Sequence, residues 1–330
     1  MQVVDFFSGC GGTSQGFRQL GLDVRVGLDL DPAAAASFRA NFPEAAFIEA
    51  DIRTVAPARI AEHLTEDETL FSGCAPCQPF SKQSREGAST DPRWNLLSEF
   101  QRFVLALRPT FVVLENVPGL QRVGKSGPLP RFLQSLADAG YEHDLAVLRA
   151  GELGVPQSRR RLVVVASRVG LARLPTPHKG GPTVRDAISH FPPLSAGETD
   201  PDDADHSAMG LSPLNLERIQ ATPEGGTRRD WPQRLQLACH KRHQGHSDVY
   251  GRMAWDAPAS GLTTRCLSYS NGRFGHPSQD RAISAREAAA LQTFPDSFQF
   301  HGTLTEKGRQ IGNAVPPAMA FRIAETLISG

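Results

Sequence analysis

Short apolar runs alternate with helix-compatible segments through the first half of the chain. Seven runs have the length and composition of β-strands: Val3–Phe7, Val24–Leu28, Ala46–Glu49, Thr69–Ser72, Thr110–Leu114, Asp144–Arg149 and Leu162–Ala166. The helix-compatible segments between them are Thr13–Leu20, Pro32–Asn41, Ala56–Leu64, Trp94–Leu107 and Leu129–Ala139. This alternation predicts a mainly parallel sheet with helices on both faces.

The alternation ends near Arg168, and the chain then becomes rich in proline, glycine, histidine and arginine with weak periodicity. Regular structure is predicted to resume with a helix over Ser284–Leu291. Ser284 followed three residues later by Glu287 is the signature of a capping box. A last amphipathic helix is predicted over Ala318–Ile328. The pattern therefore favours an α/β domain followed by a smaller, irregular one.

The composition is that of a globular protein without membrane segments. Of the 330 residues, 40% are hydrophobic and 21% are charged, which allows one large domain or two smaller ones. No apolar run has the length of a membrane span, and the first residues lack the features of a signal peptide. The five cysteines, an odd number, argue against a disulfide framework. We therefore expect a cytoplasmic protein that has no membrane partner.

Charge is distributed unevenly along the chain although the net charge is zero. Residues 1–150 carry 14 basic and 18 acidic side chains, whereas residues 151–330 carry 21 and 17. A polyanion would therefore meet the second half of the chain more favourably. The offset is modest, so a mildly basic, solvated surface is an equally simple interpretation.

Glycine and acidic residues follow the first three predicted strands. The loop Asp5–Thr13 carries three glycines before a helix, which lets the backbone approach a ligand and places a helix N-terminus where it favours negative charge. The glycine spacing departs from G-x-G-x-x-G, which counts against a nicotinamide oxidoreductase. Asp29 and Asp51 end the next two strands, where they could hold the ribose and the adenine amino group of a cofactor. Each could instead be a helix cap or a surface residue.

Two cysteines and a glutamate follow the fourth and fifth predicted strands. Cys74 and Cys77 have the spacing of a thioredoxin-type dithiol, but such a pair usually follows the first strands of a smaller fold. A single nucleophilic cysteine on a loop that faces the cofactor fits the pattern better. Glu115 comes directly after a buried run, which suggests a functional carboxyl, although a helix cap would also explain it.

Six motifs then occur in an order that resembles the C5-cytosine DNA methyltransferases of bacteria. They are Asp5–Gly12, Pro76-Cys77-Gln78, Glu115-Asn116-Val117, Gln157–Arg161, Arg286–Pro295 and Gly312–Pro317. They span nearly the whole chain, and six matches in order are far more specific than any one of them. The resemblance implies an α/β fold, with a Rossmann-like S-adenosylmethionine-dependent methyltransferase sheet and a smaller, irregular target-recognition domain.

The resemblance also implies domain bounds. Residues 1–185 would form the catalytic, S-adenosylmethionine-binding domain, which residues 305–330 would complete. Residues 186–283 would form the target-recognition domain, and residues 284–304 would be a hinge.

The implied activity is that of a DNA (cytosine-5-)-methyltransferase with S-adenosyl-L-methionine as its cofactor. Cys77 would be the nucleophile that adds to C6 of cytosine, because C5 is a poor nucleophile until C6 is substituted. Glu115 would hold the N3 and amino edge of the base, and Arg161 would hold its carbonyl oxygen. Since C5 is inaccessible inside a stacked duplex, the cytosine would be flipped out of the helix.

The resemblance assigns nine positions to the cofactor pocket. Phe7 would pack on the adenine, Asp29 would bind the ribose, and Asp51 would lie beside the adenine. The full set is Phe7, Gly9, Gly11, Gly12, Asp29, Asp51, Ile52, Asn313 and Val315.

Five positions are implied to lie near the DNA: Gln78, Ser81, Arg159, Thr263 and Thr264. For Arg159 two roles stay open, support of its own loop or a phosphate contact. Seven arginines of the second half could read guanine edges or contact phosphates. They are Arg228, Arg229, Arg234, Arg242, Arg252, Arg265 and Arg273.

Several alternatives and partners remain open at this point. A related enzyme could methylate RNA, but the Cys-Phe-Thr of the transfer-RNA branch does not occur in this sequence. A catalytically silent DNA-binding relative would be expected to lose Cys77 or Glu115, and both are present. The stretch Cys239–His246 has metal-ligand residue types but no second pair at finger spacing, so we expect no metal. We expect double-stranded DNA as partner, a cognate restriction endonuclease acting on the same site, and a monomeric protein.

Overall fold

The computed structural model describes residues 1–65, 68–75, 95–122, 127–178, 180–237 and 248–329. The chain folds into two compact units. Unit 1 comprises Met1–Leu153, Arg160–Lys179 and Ala314–Gly330. Unit 2 comprises Gly154–Arg159 and Gly180–Asn313. In the described part of the chain, no helix is long and apolar enough to span a membrane.

Unit 1 is built around a seven-stranded sheet. Its strands are β1 (Gln2–Phe6), β2 (Asp23–Asp29), β3 (Ala46–Glu49), β4 (Thr69–Gly73), β5 (Phe111–Asn116), β6 (Glu142–Arg149) and β7 (Arg160–Ser167). The strand order is β3-β2-β1-β4-β5-β7-β6. The first five strands pair in parallel, whereas β7 is antiparallel to both β5 and β6. The predicted mainly parallel sheet is therefore confirmed.

The structure describes ten α-helices. They are α1 (Gly12–Gln19), α2 (Pro32–Asn41), α3 (Pro57–Ala61), α4 (Leu96–Leu107), α5 (Pro128–Asp138), α6 (Val184–Ile188), α7 (Pro213–Gln220), α8 (Ala285–Leu291), α9 (Leu304–Asn313) and α10 (Pro317–Ile328). Helix α3 is shorter than the predicted segment. Its last turn tightens into hydrogen bonds from His63 N to Ile60 O (3.1 Å) and from Leu64 N to Ala61 O (3.0 Å), which end the helix.

Helices cover both faces of the sheet. On one face, Phe6 of β1 packs against Phe100 and Phe103 of α4, with ring centroids 5.4 and 4.9 Å apart. Side chains alternate along a strand, so Asp5 points to the opposite face, where Ser14 of α1 donates to its carboxylate. The sheet thus lies between two layers of helices, one on each face.

Helix α10 packs directly on α1 in unit 1. A Cβ atom on Gly16 would lie 2.3 Å from the carbonyl oxygen of Pro317 and 2.8 Å from the Cβ of Ala320. Only a residue without a side chain permits this approach of the two helix backbones. The late segment of the chain therefore completes the layer that begins with α1.

Unit 2 has little regular structure and is held by side-chain contacts. The predicted capping box is confirmed: Ser284 and Glu287 exchange hydrogen bonds with each other's backbone N–H at the start of α8. The Glu287 carboxylate also receives two hydrogen bonds of 2.7 Å from Arg281, and both side chains are fully buried. Burial lowers the pKa of the neighbouring His276 to about 4, so its imidazole is neutral at neutral pH.

Candidate active site

The loop after β1 is a tight turn that delivers the N-terminus of α1 to the sheet edge. Three of its residues lie in the left-handed region, Phe7 at φ 57°, Gly9 at φ 53° and Gly11 at φ 98°. At Gly11 a side chain would also collide with the ring of Phe42, 2.5 Å from the position of a Cβ. Glycine is therefore required at Gly11 for conformation and for space.

Asp29 ties the end of β2 to this loop. Its carboxylate accepts hydrogen bonds from the backbone N–H of Gly9 (2.8 Å), Leu30 (2.7 Å) and Asp31 (3.0 Å). Burial raises the pKa of Asp29, while these three donors act in the opposite direction. The residue assigned to the ribose is thus also a structural part of the glycine loop.

Asp51 and Ile52 follow β3 at the same edge of the sheet. Asp51 caps a short 3₁₀ helix, accepting from the backbone N–H of Arg53 at 3.0 Å, and it also pairs with the Arg53 guanidinium. The hydrogen bond from the Arg53 side chain is the main reason that the pKa of Asp51 is lowered. The side chain of Ile52 is buried in the hydrophobic core. Both residues therefore stabilise the turn that follows β3: Asp51 caps the 3₁₀ helix, and Ile52 packs in the core.

Two buried polar atoms beside the glycine loop show that the pocket suits a polar ligand. Within the described residues, Asp5 Oδ1 and Ser8 Oγ are buried and accept no hydrogen bond of normal geometry. The other oxygen of Asp5 accepts from Ser14 Oγ at 2.7 Å. Burial raises the pKa of Asp5 to about 7. Buried polar groups normally have partners, so these atoms fit a site that an amino-acid-bearing cofactor completes.

Glu115 stands where three chain segments converge. It lies near the end of β5, is 6% exposed, and is paired across the sheet with Val163 of β7. Arg161, two residues earlier on β7, places its Nε 2.6 Å from Glu115 Oε1 as an ion pair. Cys74, just after β4, donates its thiol to Glu115 Oε2 with a sulfur–oxygen distance of 2.9 Å. The structure thus brings together Glu115 and Arg161, two of the three residues expected to be catalytic.

The third catalytic residue, Cys77, lies outside the described residues, as do Gln78, Ser81 and the Cys239–His246 stretch. The chain that leads to Cys77 is described as far as Ala75. The carboxamide of Asn116 donates to the carbonyl oxygen of Ala75 at 3.0 Å, so the motif after β5 holds the start of the motif after β4.

Gln157 organises unit 2 from within. It is fully buried, and its amide nitrogen donates to the carbonyl oxygen of Leu291 (2.7 Å) and to Gln292 Oε1 (2.8 Å). Its amide oxygen accepts from the backbone N–H of Leu262 at 3.1 Å. Gln292 in turn donates to the carbonyl oxygen of Ile311 in α9. One buried side chain thereby connects α8, α9 and the segment that precedes Thr263.

The other predicted positions of unit 2 divide into buried and exposed ones. Arg159 is 6% exposed and donates to the carbonyl oxygen of Gly312 at 3.2 Å, a geometry that favours loop support over a phosphate contact. Thr263, Thr264 and Asn313 are exposed. In unit 1, Val315 is buried.

The structure separates the arginines that the sequence leaves equivalent. Arg252 is buried and donates to several backbone carbonyls, among them Thr222 O at 2.7 Å, and Arg228 is buried as well. Arg273 and Arg234 pair with Asp248 and Glu217. Among the six of these seven arginines that the structure describes, two are exposed and their guanidinium groups make no hydrogen bond or ion pair with the described residues. They are Arg229 and Arg265; Arg242 lies outside the described residues.

Two residues at the site were not found from the sequence. Leu30, directly after Asp29, is 64% exposed, which is unusual for a large apolar side chain at a ligand-binding strand end. The resemblance assigns no role to Cys74, but its thiol contacts Glu115. The signal for Leu30 was an apolar residue between two aspartates. For Cys74 the only signal was its place at the end of β4, since the sequence does not show which strand end faces it.

The sheet order, the antiparallel β7, the glycine loop and the strand-end carboxylates form the framework of a methyltransferase, as the family match shows. The chain belongs to the C-5 cytosine-specific DNA methylase family, whose model matches residues 1–329.

Similar proteins come from bacterial modification systems. The type II methylase M.HgiDII of Herpetosiphon aurantiacus is 41% identical, and the match covers 98% of this chain and 94% of that protein. The type II methyltransferase M1.HphI of Haemophilus parahaemolyticus is 34% identical, covering 99% of this chain and 87% of that protein. A solved E. coli structure, described as a prophage-encoded DNA modification methyltransferase, has a TM-score of 0.79 with 23% identity, and the match covers 100% of both chains. That likeness confirms the fold.

Proposed function

We propose that this DNA (cytosine-5-)-methyltransferase modifies a flipped cytosine in a specific duplex sequence through a covalent adduct between Cys77 and C6. The observation that carries the proposal is the buried Glu115 carboxylate. It is paired with Arg161 at the sheet edge where the Pro76-Cys77-Gln78 motif begins. A carboxyl and a guanidinium side by side can grip the hydrogen-bonding edge of a single base.

The chemistry assigns one task to each residue. The Cys77 thiolate forms a bond to C6, and electron density becomes available at C5 while N3 takes a proton that the Glu115 carboxyl group relays from water; that proton returns by the same route when the sulfur leaves. S-adenosylmethionine supplies the methyl group when it is bound. A base then removes the hydrogen from C5, the double bond re-forms, and the Cys77 sulfur leaves C6 as thiolate. Arg161 holds the carbonyl oxygen of the base and stays paired with Glu115.

The residues at the glycine loop fit the cofactor. Gly9 and Gly11 give the loop its left-handed turns, and Gly12 begins α1, whose N-terminus favours the cofactor's carboxylate. Asp29 takes the ribose. The adenine lies between apolar side chains and Asp51. The contributors to that part of the pocket are Phe7, Ile52, Val315 and the exposed Leu30, with Asn313 nearby in sequence.

The DNA contacts come from unit 2 and from the loop after Cys77. We assign direct contacts to the exposed Arg229 and Arg265, because a guanidinium that makes no hydrogen bond or ion pair with the described residues can bind a phosphate or a guanine edge. We also assign DNA contacts to Thr263 and Thr264, next to Arg265 in the sequence, and to Gln78 and Ser81, which follow Cys77 in the sequence. We place the target-recognition domain at residues 186–283, as the sequence predicts, with residues 284–304 as hinge.

The biological setting follows from the relatives. Because M.HgiDII and M1.HphI are type II enzymes, we infer that this protein protects a site that a cognate restriction endonuclease cuts. We infer that it acts as a monomer in the cytoplasm, where bacterial DNA is found.

Trapping on a fluorinated base tests the proposal. Duplex DNA with 5-fluorocytosine at the target should form a complex with the protein that survives denaturation, since fluorine at C5 is not removed as a proton is. Cys77→Ser should form no such complex, whereas Cys266→Ser, a change at a buried cysteine of unit 2, should form it normally. The same oligonucleotide made as RNA should not react. An adduct on RNA and none on any duplex DNA would show that the substrate is RNA, and an adduct with Cys77→Ser would remove the nucleophile from our mechanism.

A further inference from the structure

The two oxygens of the Glu115 carboxylate have different partners: within the described residues Oε1 is paired by charge and accepts no hydrogen bond, whereas Oε2 accepts one from a thiol. Arg161 holds Oε1 through an ion pair of 2.6 Å. Cys74 holds Oε2 through its thiol at 2.9 Å. The attraction between a guanidinium, which is always charged, and a carboxylate is strong at this distance, whereas a thiol is a weak donor. The interaction at Oε1 is therefore strong, whereas the hydrogen bond at Oε2 is weak and can be replaced by a stronger donor.

The backbone of Cys74 is fixed independently of its thiol. Its N–H donates to the carbonyl oxygen of Phe6, and the following residue, Ala75, is held by the Asn116 carboxamide. The thiol thus reaches Glu115 from a residue anchored on β1 and β5. This contact is a consequence of the strand-end geometry and fixes the rotation of the carboxylate about its last bond.

The base needs the same carboxyl group. The edge of cytosine presents an amino group that donates and a ring nitrogen, N3, that takes a proton. Two groups on the base must therefore meet the two oxygens of Glu115, and the donor already on Oε2 competes with one of them for that oxygen. The weaker donor withdraws at the lower cost, which is the thiol on Oε2.

We propose that Cys74 is a positioning residue: its thiol holds the Glu115 carboxylate in the orientation that the base requires and releases Oε2 when the cytosine enters. This inference rests on the proposed role of Glu115 in the reaction. It gives Cys74 a function that does not involve a disulfide with Cys77 or nucleophilic attack, because its sulfur is directed at a carboxylate oxygen.

Infrared spectroscopy tests the contact itself. The S–H stretching band of Cys74, assigned as the band lost in Cys74→Ala, should lie at lower frequency than that of an unbonded thiol. In Glu115→Gln the band should move to higher frequency, because a neutral amide accepts more weakly than a carboxylate. The band of Cys266, whose thiol faces the carbonyl oxygen of Gly308, should stay in place and serves as the internal control.

Steady-state kinetics test the consequence. Cys74→Ala should lower kcat about tenfold, the effect of losing one hydrogen bond to a charged group at the lower end of its range, and leave KM for DNA and for the cofactor within about twofold. Cys74→Ser should recover most of the loss, because a hydroxyl can donate at the same place. Cys266→Ala should keep kcat within about twofold of the unchanged enzyme.

The outcomes separate this inference from the proposed function. The positioning role is refuted if the Cys74 band does not respond to Glu115→Gln, or if Cys74→Ala turns over at the full rate. Neither result changes the role proposed for Glu115 in the reaction. If Cys74→Ser is as slow as Cys74→Ala, the residue acts through packing. If Glu115→Gln itself is fully active, the role proposed for Glu115 is wrong, whatever the thiol does.

Discussion

Replacing Gly312 by alanine would put a methyl group against backbone atoms of its own unit. The new Cβ would lie 2.0 Å from the carbonyl oxygen of Thr263 and 2.7 Å from the nitrogen of Thr264. Attractive contacts between heavy atoms need about 3.5–4.0 Å, so helix α9 or the Thr263–Thr264 backbone has to shift by more than about 1 Å. Alanine in a helix gains about 0.5–1 kcal/mol over glycine, and overpacking of this kind costs about 1–3 kcal/mol or more. We expect a net loss of about 2 kcal/mol in the free energy of unfolding.

Gly308 in the same helix provides the matched control. There a Cβ would lie 3.1 and 3.3 Å from Cγ and Cδ1 of Leu267, side-chain atoms that can rotate away. The gain in helix propensity and the small repacking cost nearly cancel. Gly308→Ala should therefore stay within about 1 kcal/mol of the unchanged protein.

Urea denaturation followed by tryptophan fluorescence measures both variants, since Trp231 and Trp255 belong to unit 2. Binding to target DNA, measured in parallel, should weaken for Gly312→Ala, because the shift displaces the exposed Thr263 and Thr264. Equal midpoints and equal DNA affinities for Gly312→Ala and Gly308→Ala would contradict the steric argument.

Two further predictions concern buried charge. Burial raises the pKa of Asp5 from 3.8 to about 7, so the folded protein keeps a proton that the unfolded chain has lost; stability should fall by on the order of 4 kcal/mol as pH rises through that window. Asp5→Asn should flatten this pH dependence of the unfolding midpoint, and an unchanged slope would mean that Asp5 is ionised in the fold. Glu287→Gln leaves the Arg281 guanidinium buried and uncompensated, and should cost about 3–5 kcal/mol in urea denaturation. Glu217→Gln, at the exposed pair with Arg234, should cost less than about 1 kcal/mol, and similar losses for both would refute the role of burial.

The sheet and the polar residues at its strand ends could be predicted because both leave a periodic signal in the sequence. An apolar run followed at once by a polar residue marks a strand end, and parallel strands bring such ends to one edge. Asp29 and Glu115 were found in this way, and the capping box at Ser284 was found from local spacing. The position of Asp51 after the third strand was predicted correctly. Its pairing with Arg53 was not, because that pairing depends on the conformation of the short 3₁₀ helix.

Unit 2 could not be predicted in the same way because its stability comes from contacts without a period. Gln157 and Arg252 are buried, and each satisfies backbone groups from segments far apart in the sequence. The sequence shows their charge and polarity but not their burial. For that reason Arg252 and Arg265 looked equivalent as DNA contacts, although the first is an internal brace and the second is exposed.

The contact between α1 and α10 has a consequence for biosynthesis. Gly16 emerges early from the ribosome, but the backbone it packs against, at Pro317, is made only after all of unit 2. During translation the nascent sheet therefore carries an uncovered apolar layer for the whole time that residues 180–313 are added. A ribosome that stalls in this interval releases a chain whose first layer lacks its last helix, and chaperones and proteases recognise exposed surface of that kind. Quality control can thus remove a chain whose synthesis stops before Pro317.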